Sequence, residues 1–461
     1  MHLDIVVLAA GNSTRMKSRT PKVLHTLGGK NLIHHVLDQA NRLNPEKIHV
    51  VVSSSNYAQL QEEVGTESVN WVLQSEQLGT GHAVLQVLPH IKDGSVVLVL
   101  YGDVPRVGED SLKECVASGE SSFTVLTAKV PDPKGYGRII RAEDRRILEI
   151  IEDRDLNDDQ QNIGEINSGI VCGPVDIFRK LLPQVKRDNN QKEIYLTDMV
   201  GLANSAGMTV KGYLANCPSE VEGINSRKQL ADMERVYQQE IADELMASGV
   251  TLLHQESLRV FGTFTTGIDC TIDANVRIEG KVEIGENVTI ESGCVIKNSS
   301  IGDNAHIYAQ TMIDGATIGD GCHIGPSARL RPGSVLHGKV RIGNFVEIKN
   351  ATLENGVKAG HLAYLGDAYI GENTNIGAGA ITCNFDGVKK NTTVIGKDVF
   401  VGTNCSLIAP LDIPDRAFIA AGTTITKKVP MQQGDLAFGP RDTKIVGDWA
   451  KKRGLNRTDN G

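Results

Sequence analysis

The sequence lacks paired cysteines and long apolar runs. Its eight cysteines are scattered and include no Cys-x-x-Cys pair. This pattern argues against a disulfide framework or a zinc site, and it indicates reduced thiols. No apolar stretch approaches the length of a membrane span. We therefore predict a cytoplasmic protein with no membrane partner.

An excess of positive charge is also lacking. The 56 acidic residues outnumber the 48 basic residues, which gives a formal net charge of -8. Such a chain has no long-range attraction for nucleic acid or for an anionic membrane. We expect no nucleic-acid partner, and any phosphate binding must come from local basic clusters. The first residues lack the charged segment of a secretion signal, so no signal peptide is predicted.

The second half of the chain has an aliphatic residue at every sixth position. Neither an α-helix nor a flat sheet repeats at six, whereas a parallel β-helix does, because each short strand places one aliphatic side chain inside a prism. Glycine with Asn or Asp follows these positions, as in IGENVT and IGDNAH, which suits tight corners. The pattern predicts a prism of hexapeptide repeats, a fold common among acyl-transferring enzymes. The aliphatic positions are Ile272, Ile278, Ile284, Ile290 and Ile296, then Ile395, Val401, Leu407, Ile413, Ile419 and Ile425.

The first half of the chain has a different pattern. Apolar runs that predict buried strands alternate with stretches that predict helices, which is typical of an α/β domain with a mostly parallel sheet. Ligands of such sheets bind beyond the carboxyl ends of the strands. The strands are predicted at 5–8, 48–52 and 96–100, and the helices at 32–43 and 81–88.

The two patterns define the predicted domains. Residues 1–226 form the α/β domain, and residues 250–448 form the prism. Between them, apolar residues at helical spacing and a possible stop at Gly249 predict a linking helix over 227–249. The polar tail 449–461 is predicted to be disordered.

The first predicted strand leads into Leu8-Ala9-Ala10-Gly11-Asn12-Ser13-Thr14-Arg15-Met16, with Pro21-Lys22 downstream. Small residues there let backbone N–H groups close around a phosphate, and Arg15 and Lys22 add positive charge for a triphosphate. The segment is neither a GxGxxG dinucleotide fingerprint nor a P-loop. The combination resembles the signature of sugar-phosphate nucleotidyltransferases.

Four further motifs follow in the first half of the chain: QSEQLGTG at 74–81, YGDVP at 101–105, GYGR at 135–138 and EINSG at 165–169. They are similar to motifs of the bacterial bifunctional N-acetylglucosamine-1-phosphate uridylyltransferase / glucosamine-1-phosphate N-acetyltransferase family. The resemblance covers nearly the whole chain. It implies a Rossmann-like nucleotidyltransferase domain joined by a helix to a left-handed parallel β-helix, with Mg²⁺ as cofactor, acetyl-CoA as co-substrate and a homotrimer as the assembly.

The resemblance implies two reactions. Glucosamine 1-phosphate is acetylated by acetyl-CoA, and N-acetylglucosamine 1-phosphate then reacts with UTP to give UDP-N-acetylglucosamine, which feeds peptidoglycan and lipopolysaccharide precursors. One alternative is a single-function nucleotidyltransferase with a structural or regulatory prism, and another is a non-catalytic interaction module. The first alternative does not explain a set of polar residues in the prism, namely Lys349, His361, Asn375 and Asn384. The second does not explain the cations and the carboxylate of the first half, namely Arg15, Lys22 and Asp103.

Nucleotidyl transfer requires one anion to attack another, so the site needs a divalent cation and cationic side chains. Asp103 directly follows a buried strand, where a carboxylate suits Mg²⁺; the alternative, a turn aspartate at a strand end, is less favoured within YGDVP. The resemblance makes Asn225 the second metal ligand and makes Gln74, with Gln77, Gly79 and Thr80, the reader of uracil. It places Gly137, Glu152, Asn167 and Asn225 at the sugar; Gly and Asn are also common turn formers. The UTP and UDP-N-acetylglucosamine site further includes Leu8, Ala9, Ala10, Gly11, Lys22 and Tyr101.

In the prism, the six-residue rhythm is interrupted over 358–367, and an interrupted coil often carries the site of a solenoid. Acetyl transfer to an amine needs a base, and a neutral imidazole suits that role. His361 lies in this interval. A lone histidine is more often packed or on the surface, but the resemblance makes His361 the catalytic base. Glu347 is a hypothetical partner that orients it.

The remaining acetyltransferase residues follow from the resemblance. Arg331 and Lys349 are cations for the sugar phosphate, although alone they would be interpreted as surface charges. Three residues depart from the family pattern: Phe385 replaces a usual Tyr, Thr403 replaces a usual Ser, and Arg441 has an offset context. Tyr364, Asn375 and Asn384 position substrate, and the acetyl-CoA groove is assigned to Ala378, Asn384, Phe385, Thr403, Ala421, Gly422 and Arg441.

Overall fold

The computed structural model describes residues 2–11, 14–65, 69–187 and 192–439. Its contacts divide the chain into two compact units, the first ending at Tyr237 and the second beginning at Gln238. The linking helix is observed over Arg227–Ala247. The domain boundaries at 226 and 250 stay predictions, and the end of the 250–448 domain and the tail at 449–461 lie outside the described residues. No helix in the described part of the chain is long and apolar enough to cross a membrane.

The first unit is an α/β fold around a nine-stranded sheet. Its central strands are buried on both faces, as expected when helices cover a sheet. Ile5 and Val7 belong to one hydrophobic cluster, whereas Val6 between them belongs to another. The strands are β1 Leu3–Leu8, β2 Thr26–Leu27, β3 Lys30–Asn31, β4 Lys47–Ser53, β5 Asn70–Gln74, β6 Val96–Tyr101, β7 Phe123–Lys129, β8 Arg138–Arg141, β9 Ile147–Ile151, β10 Glu165–Pro174 and β11 Val210–Leu214. The helices are α1 Leu32–Arg42, α2 Tyr57–Val64, α3 Thr80–Val87, α4 Glu109–Gly119, α5 Val175–Leu181, α6 Met199–Ser205 and α7 Arg227–Ala247.

The main sheet has the order β11-β7-β10-β6-β1-β4-β5. Strand β1 is parallel to both β4 and β6, while β10 is antiparallel to β6 and β7. The carboxyl ends of β1, β4 and β6 therefore meet at one edge, at Leu8, Ser53 and Tyr101. The strands and helices predicted in this half of the sequence are confirmed, and this edge is where ligands of such sheets bind.

The second unit is a left-handed parallel β-helix of hexapeptide repeats. Each short strand pairs in parallel with the equivalent strand of the next coil, so that Ile272, Ile290 and Ile307 stack in register inside the prism. Its strands, in chain order from β12 to β37, are Thr251–Leu252, Arg259–Thr266, Thr271–Ile272, Arg277–Ile284, Thr289–Ile290, Val295–Lys297, Ser300–Ile301, His306–Ile307, Met312–Asp314, Ala316–Ile318, His323–Ile324, Arg329–Leu330, Ser334–Leu336, Arg341–Asn344, Glu347–Leu353, Lys358–His361, Tyr364–Ile370, Asn375–Ile376, Ile381–Cys383, Thr393–Ile395, Phe400–Val401, Ser406–Ile408, Leu411–Ile413, Phe418–Ile419, Thr424–Thr426 and Leu436–Ala437.

The corners of the prism explain the recurring Asn and Asp residues. Asn287 and Asn304 adopt left-handed backbone conformations with φ of 54° and 57°. Asparagine tolerates this conformation better than most side chains do. The amide of Asn287 also donates to Asn304 Oδ1 at 2.8 Å, so that one corner supports the next.

The predicted interruption over 358–367 is wrong. Strand Lys358–His361 continues the coil, and Ala359 is fully buried between Ile342 and Ile376 in the same internal column. A smaller side chain fills the aliphatic position there, so the sequence rhythm weakens while the backbone repeat continues. The coil is instead extended at residues 384–392, between strands Ile381–Cys383 and Thr393–Ile395. This loop projects outward, with Val388 91% exposed at its tip.

Candidate active sites

A cavity of about 510 Å³ opens at the carboxyl edge of the first unit's sheet. Twelve residues that the sequence assigned to nucleotide binding line it. Asn56, at the start of α2, and Glu193 also line the cavity and were not predicted. The twelve are Leu8, Ala9, Ala10, Gly11, Lys22, Gln74, Gln77, Gly79, Thr80, Tyr101, Asp103 and Asn225.

Two side chains donate hydrogen bonds to the backbone carbonyl groups just after β1. Asn56 Nδ2 donates to the Ala9 carbonyl at 2.8 Å, and Gln77 Nε2 donates to the Ala10 carbonyl at 2.8 Å. These bonds fix the backbone of Ala9 and Ala10 at the edge of the cavity. Asn56 lies just after β4, so the rule that ligands bind beyond strand ends points to it.

Gly79 shapes the cavity beside helix α3. Its φ is +105°, and a Cβ atom added there would lie 2.6 Å from the Ile194 carbonyl oxygen. Its own carbonyl accepts a hydrogen bond from Gln74 Nε2 at 3.1 Å, which fixes the buried Gln74 amide. Only glycine meets both the conformational and the steric requirement at this position.

Replacing Gly79 with alanine is therefore expected to destabilise the first unit by about 2–4 kcal/mol, since a strained φ and a clash with backbone act together. Gly65→Ala is the matched control, because Gly65 has a φ of +89° but nothing within 4 Å of the added Cβ. We expect the control to cost about 1–2 kcal/mol. Urea denaturation measures both, and equal losses would contradict the steric role of Gly79.

Cations and oxygen ligands converge at the mouth of this cavity. Lys22 Nζ donates to the Asp103 carboxylate and, at 2.9 Å, to Asn225 Oδ1. Arg15 Nη2 donates to the same Asn225 oxygen at 2.9 Å. The Ile224 N–H bonds the Asp103 carbonyl at 2.9 Å, which holds the Asn225 loop against the end of β6. The Asp103 carboxylate and the Asn225 amide oxygen thus both face the Lys22 ammonium, and the Arg15 guanidinium adds a second positive charge at Asn225.

This pair of oxygens fits a hard divalent cation. Oxygen ligands suit such ions, and a site with few protein ligands leaves positions for phosphate and water. In the described part of the chain, no group of three or more His, Cys, Asp or Glu side chains could hold a metal. Asp103 and Asn225, the two ligands predicted from the sequence, both line the cavity, and Glu193 is a further carboxylate in its lining.

The predicted sugar residues Gly137, Glu152 and Asn167 are not among the residues that line this cavity, but they lie close to one another. The Asn167 N–H donates to the Gly137 carbonyl at 2.8 Å. Burial raises the pKa of Glu152, whose carboxylate accepts a hydrogen bond from Thr197 at 3.5 Å. Burial also raises the pKa of Tyr101, with smaller contributions from the Asp103 and Glu152 charges. Tyr101 therefore lies close to both Asp103 and Glu152.

Strand β10 carries Asn167 on an irregular segment. The register against β7 shifts between Asn167 and Val171, and Gly169 there has a φ of +83°. A Cβ atom on Gly169 would lie 2.7 Å from the Tyr101 ring. Gly169 of the EINSG motif thus lets the bulge pack against the Tyr101 ring. The bulge changes the direction of the strand from Asn167 onward.

In the second unit, His361 is exposed and has a fixed ring orientation. Its Nδ1 donates to Asn344 Oδ1 at 2.7 Å, where Asn344 is the register partner in the preceding coil. In the neutral imidazole, a ring that donates from Nδ1 has Nε2 as its acceptor. The structure places Asn344, and not Glu347, against His361. Glu347 instead forms an ion pair with Arg331 at 2.9 Å.

A cluster of cations on the prism consists of Arg331, Lys349 and Lys390. The neighbouring Lys390 ammonium, and more weakly Arg331, lower the pKa of Lys349. The two ammonium groups repel each other, and a bound anion would offset this repulsion. The pair therefore suits an anion-binding site. Lys390 was missed because it belongs to the loop at 384–392, where no repeat marks its place. A cavity of about 190 Å³ adjoins it, lined also by Asn350, Asp367, Ala368, Tyr369, Asn391 and Thr392.

Tyr364 and Asn384 form a second part of this region. Asn384 Nδ2 donates to Asp367 Oδ2 at 2.5 Å and to Tyr364 Oη at 3.4 Å. Asp367 Oδ1 accepts from Asn350 Nδ2 at 2.7 Å. The two predicted positioning residues are thus connected through one carboxylate network. Asn375, also predicted, lies in strand Asn375–Ile376 and is half-buried.

Three of the residues assigned to acetyl-CoA form a column at one corner. Asn375, Phe400 and Phe418 pair in register, and three residues after each lie Ala378, Thr403 and Ala421. The coils approach closely, since a Cβ atom on Gly402 would lie 2.6 Å from the Ala421 nitrogen. Small side chains there leave a path along the corner. Phe385 is 62% exposed, Gly422 donates to the Thr403 carbonyl at 2.7 Å, and Arg441 lies outside the described residues.

The fold and these sites define the class of protein: a two-domain transferase with a nucleotidyltransferase unit and a hexapeptide-repeat acyltransferase unit. The family described as the MobA-like NTP transferase domain matches residues 5–162. In the prism, the GMPPB C-terminal domain matches residues 260–342, and the hexapeptide repeat of succinyl-transferase matches residues 392–427.

Relatives of nearly full length identify the family. A bifunctional protein GlmU from Marinobacter nauticus is 45% identical over 98% of this chain and 99% of the relative. One from Pseudomonas putida is 46% identical over 98% of each chain, and one from Idiomarina loihiensis is 44% identical over 99% of this chain and 100% of the relative. The chain belongs to the bifunctional GlmU family.

Membership confirms the activity that the sequence predicts. The protein is a bifunctional enzyme of UDP-N-acetylglucosamine synthesis that transfers uridylyl and acetyl groups between small-molecule substrates. A divalent metal and acetyl-CoA take part. A scaffold role for the prism, one of the alternatives, does not fit this family.

Proposed function

We propose that UTP and N-acetylglucosamine 1-phosphate react in the cavity of the first unit, and that acetyl-CoA and glucosamine 1-phosphate react beside His361 in the second. The observation that carries the first assignment is the convergence of Asp103 and Asn225 oxygens on Lys22, beside the phosphate-binding loop. We assign the divalent metal as Mg²⁺, held by Asp103 and Asn225. When bound, Mg²⁺ would neutralise phosphate charge.

In the uridylyl step, a sugar-phosphate oxygen attacks the α-phosphorus of UTP. The new P–O bond forms as the bond to the β-phosphate oxygen breaks, and pyrophosphate leaves. Arg15 and Lys22 bind the triphosphate and keep the two anions from repelling each other. Backbone N–H groups of Leu8–Gly11 complete the phosphate site. These residues chiefly position and neutralise, which is what phosphoryl-type transfers require.

The remaining residues of the cavity select the substrates. Gln74 and Gln77 read the uracil edge, with Gly79 and Thr80 closing the pocket around the base. Gly137, Glu152 and Asn167 bind the sugar and its acetamido group. The burial of Glu152 suits a carboxylate that accepts hydroxyl hydrogens from a bound ring in place of water.

In the acetyl step, the amine of glucosamine 1-phosphate attacks the thioester carbonyl carbon of acetyl-CoA. His361 Nε2 accepts a proton from the attacking nitrogen, and the C–S bond breaks to release coenzyme A as the thiol after protonation. The Asn344 contact at Nδ1 selects the tautomer that leaves Nε2 free for this role. The small residues Ala378, Thr403 and Ala421 form one wall of the coenzyme A groove.

Arg331, Lys349 and Lys390 bind the phosphate of glucosamine 1-phosphate. Lys349→Ala is expected to raise the KM for glucosamine 1-phosphate by about 10–100-fold, the value of one lost charge-assisted bond. Because Lys390 lowers the pKa of Lys349, Lys349 loses its charge at lower pH than an ordinary lysine, and phosphate affinity falls earlier as pH rises. Lys390→Ala should shift that loss to higher pH.

The control for this prediction is Lys281→Ala, on an exposed lysine of the prism paired with Glu283 at 2.7 Å. Thiol release measured at several pH values separates the variants. An unchanged KM in Lys349→Ala, or the same rise in the control, contradicts the phosphate assignment.

Removal of divalent metal should separate the two reactions. With a chelator present, pyrophosphate release from UTP and N-acetylglucosamine 1-phosphate is expected to stop, since Asp103 and Asn225 then lack their cation. Thiol release from acetyl-CoA should continue, because the acetyl step that we assign to His361 uses a general base and no metal. Restoration by Mg²⁺ tests the metal, and loss of thiol release on chelation would overturn the division.

We also propose a homotrimer, assembled through outer faces of the prism, because parallel β-helices pack well around a three-fold axis and the resemblance implies it. The UDP-N-acetylglucosamine so made would supply peptidoglycan and lipopolysaccharide precursors. Sedimentation equilibrium of the full chain tests the trimer.

A further inference from the structure

A second cavity of the first unit, of about 650 Å³, lies at the edge of the main sheet. Its walls are the edge strand β11, the turn between β8 and β9, and the ends of β7 and β10 that meet there. None of its lining residues belongs to the cavity described above. It is therefore a separate concavity with no part in the proposed reactions.

The wall of this cavity is built from fixed groups. Arg141 and Glu165 form a two-bond ion pair, with Nε to Oε2 at 2.8 Å and Nη2 to Oε1 at 2.5 Å. Thr127 donates to the same carboxylate at 2.6 Å. The guanidinium lies against β11, since a Cβ atom on Gly212 would be 2.6 Å from Arg141 Nη2. A bidentate pair of this kind holds both side chains in one geometry.

Positive charge in the cavity exceeds what its acidic residues can neutralise. Arg141 pairs with Glu165, and Arg146 pairs with Asp144 at 3.3 Å. Three further cations line the space, and within the described ranges none of them forms an ion pair with another side chain. They are Lys129, Arg145 and Lys211. Lys129 also helps to lower the pKa of Glu165, which places it near the paired carboxylate.

The excess runs against the charge of the chain, which is -8 overall. A concavity with several unneutralised cations focuses a positive potential, because the low-dielectric walls confine the field. Small-molecule sites typically occupy about 300–1,000 Å³, and this cavity falls within that range. A polymer such as nucleic acid would meet a net negative surface elsewhere on the chain, so the charge favours a small ligand.

We propose that this cavity binds a small molecule carrying two or more negative charges, as phosphate or carboxylate groups. Lys129, Arg145 and Lys211 would contact the anionic groups, and the Arg141–Glu165 pair would form the fixed wall. The proposal concerns a site apart from the two reactions and does not depend on their residue assignments.

Isothermal titration calorimetry of the full chain without divalent metal tests the site, with fructose 1,6-bisphosphate and citrate as separate probes. At least one should bind with a Kd of about 1 mM or tighter. Lys129→Ala/Lys211→Ala should weaken binding at least about tenfold, which is a 1.4 kcal/mol difference. Lys180→Ala/Lys186→Ala is the matched control, on two exposed lysines outside the cavity, and should bind as wild type. Thermal unfolding of each variant checks that it is folded.

Lys22→Ala distinguishes this cavity from the nucleotide pocket. Binding retained in Lys22→Ala and weakened in Lys129→Ala/Lys211→Ala supports the proposal, and the probe that binds tells phosphate from carboxylate. Absence of binding by wild type, equal binding by Lys129→Ala/Lys211→Ala and wild type, or a loss confined to Lys22→Ala overturns it.

Discussion

Replacing His361 with alanine is expected to lower the rate of acetyl transfer by about 10²–10⁴-fold, the usual contribution of a positioned general base. Uridylyl transfer from supplied N-acetylglucosamine 1-phosphate should be unchanged. The reason is that His361 is exposed on the prism and its ring is oriented by Asn344, within the second unit. Thiol release measures the first rate, and pyrophosphate release measures the second.

Two variants sharpen this test. His337→Ala removes another exposed histidine of the prism, which lies 3.8 Å from Glu354, and should leave both rates intact. Asn344→Ala keeps the base but frees its tautomer, so it should lower the kcat of acetyl transfer less than His361→Ala does, with little change in the KM for acetyl-CoA. Thiol release by His361→Ala at the wild-type rate would show that His361 is not the general base.

Replacing Asp103 with asparagine is expected to lower uridylyl transfer at least about a hundredfold, because several kcal/mol of charge stabilisation depend on the metal that we propose it holds. The change preserves side-chain size and one acceptor oxygen, so it removes chiefly the negative charge. In this variant Lys22, which contacts residues 103 and 225, would face two neutral amide oxygens and no carboxylate. Acetyl transfer should continue at the wild-type rate.

The control for Asp103 is Asp176→Asn, at the exposed start of α5, where the carboxylate lies 3.9 Å from Arg179. We expect wild-type pyrophosphate release from this control. If raising the Mg²⁺ concentration partly rescues Asp103→Asn, the lost group is a metal ligand. An Asp103→Asn enzyme with full activity at low Mg²⁺ contradicts the assignment.

Periodicity and strand-end position made much of this protein predictable from sequence. The six-residue repeat determines which side chains enter the prism, because each coil must bury one residue per short strand. In the first unit, Leu8–Gly11 and Asp103 follow apolar runs directly, and parallel strands bring such ends to one edge. Asn225 was reachable only through the family resemblance, since it is distant in sequence from both.

Other features depend on contacts that no local pattern encodes. Ala359 fills an internal position with a small side chain, so a continuous coil looked like an interruption. Asn344 meets His361 only because one coil stacks on the previous one in a particular register; the hypothesis from sequence was Glu347, which pairs with Arg331 instead. Lys390 reaches Lys349 from an outward loop whose path has no repeat to predict it.

One measurement tests the central claim, that a single chain performs acetylation and then uridylyl transfer at separate sites. Purified protein is given glucosamine 1-phosphate, acetyl-CoA, UTP and Mg²⁺, and free thiol and pyrophosphate are followed together. We predict that thiol appears first, that pyrophosphate follows after a lag and approaches the same amount, and that omitting acetyl-CoA abolishes both. Pyrophosphate released without acetyl-CoA, or no thiol release at all, would contradict this order and the role of the prism.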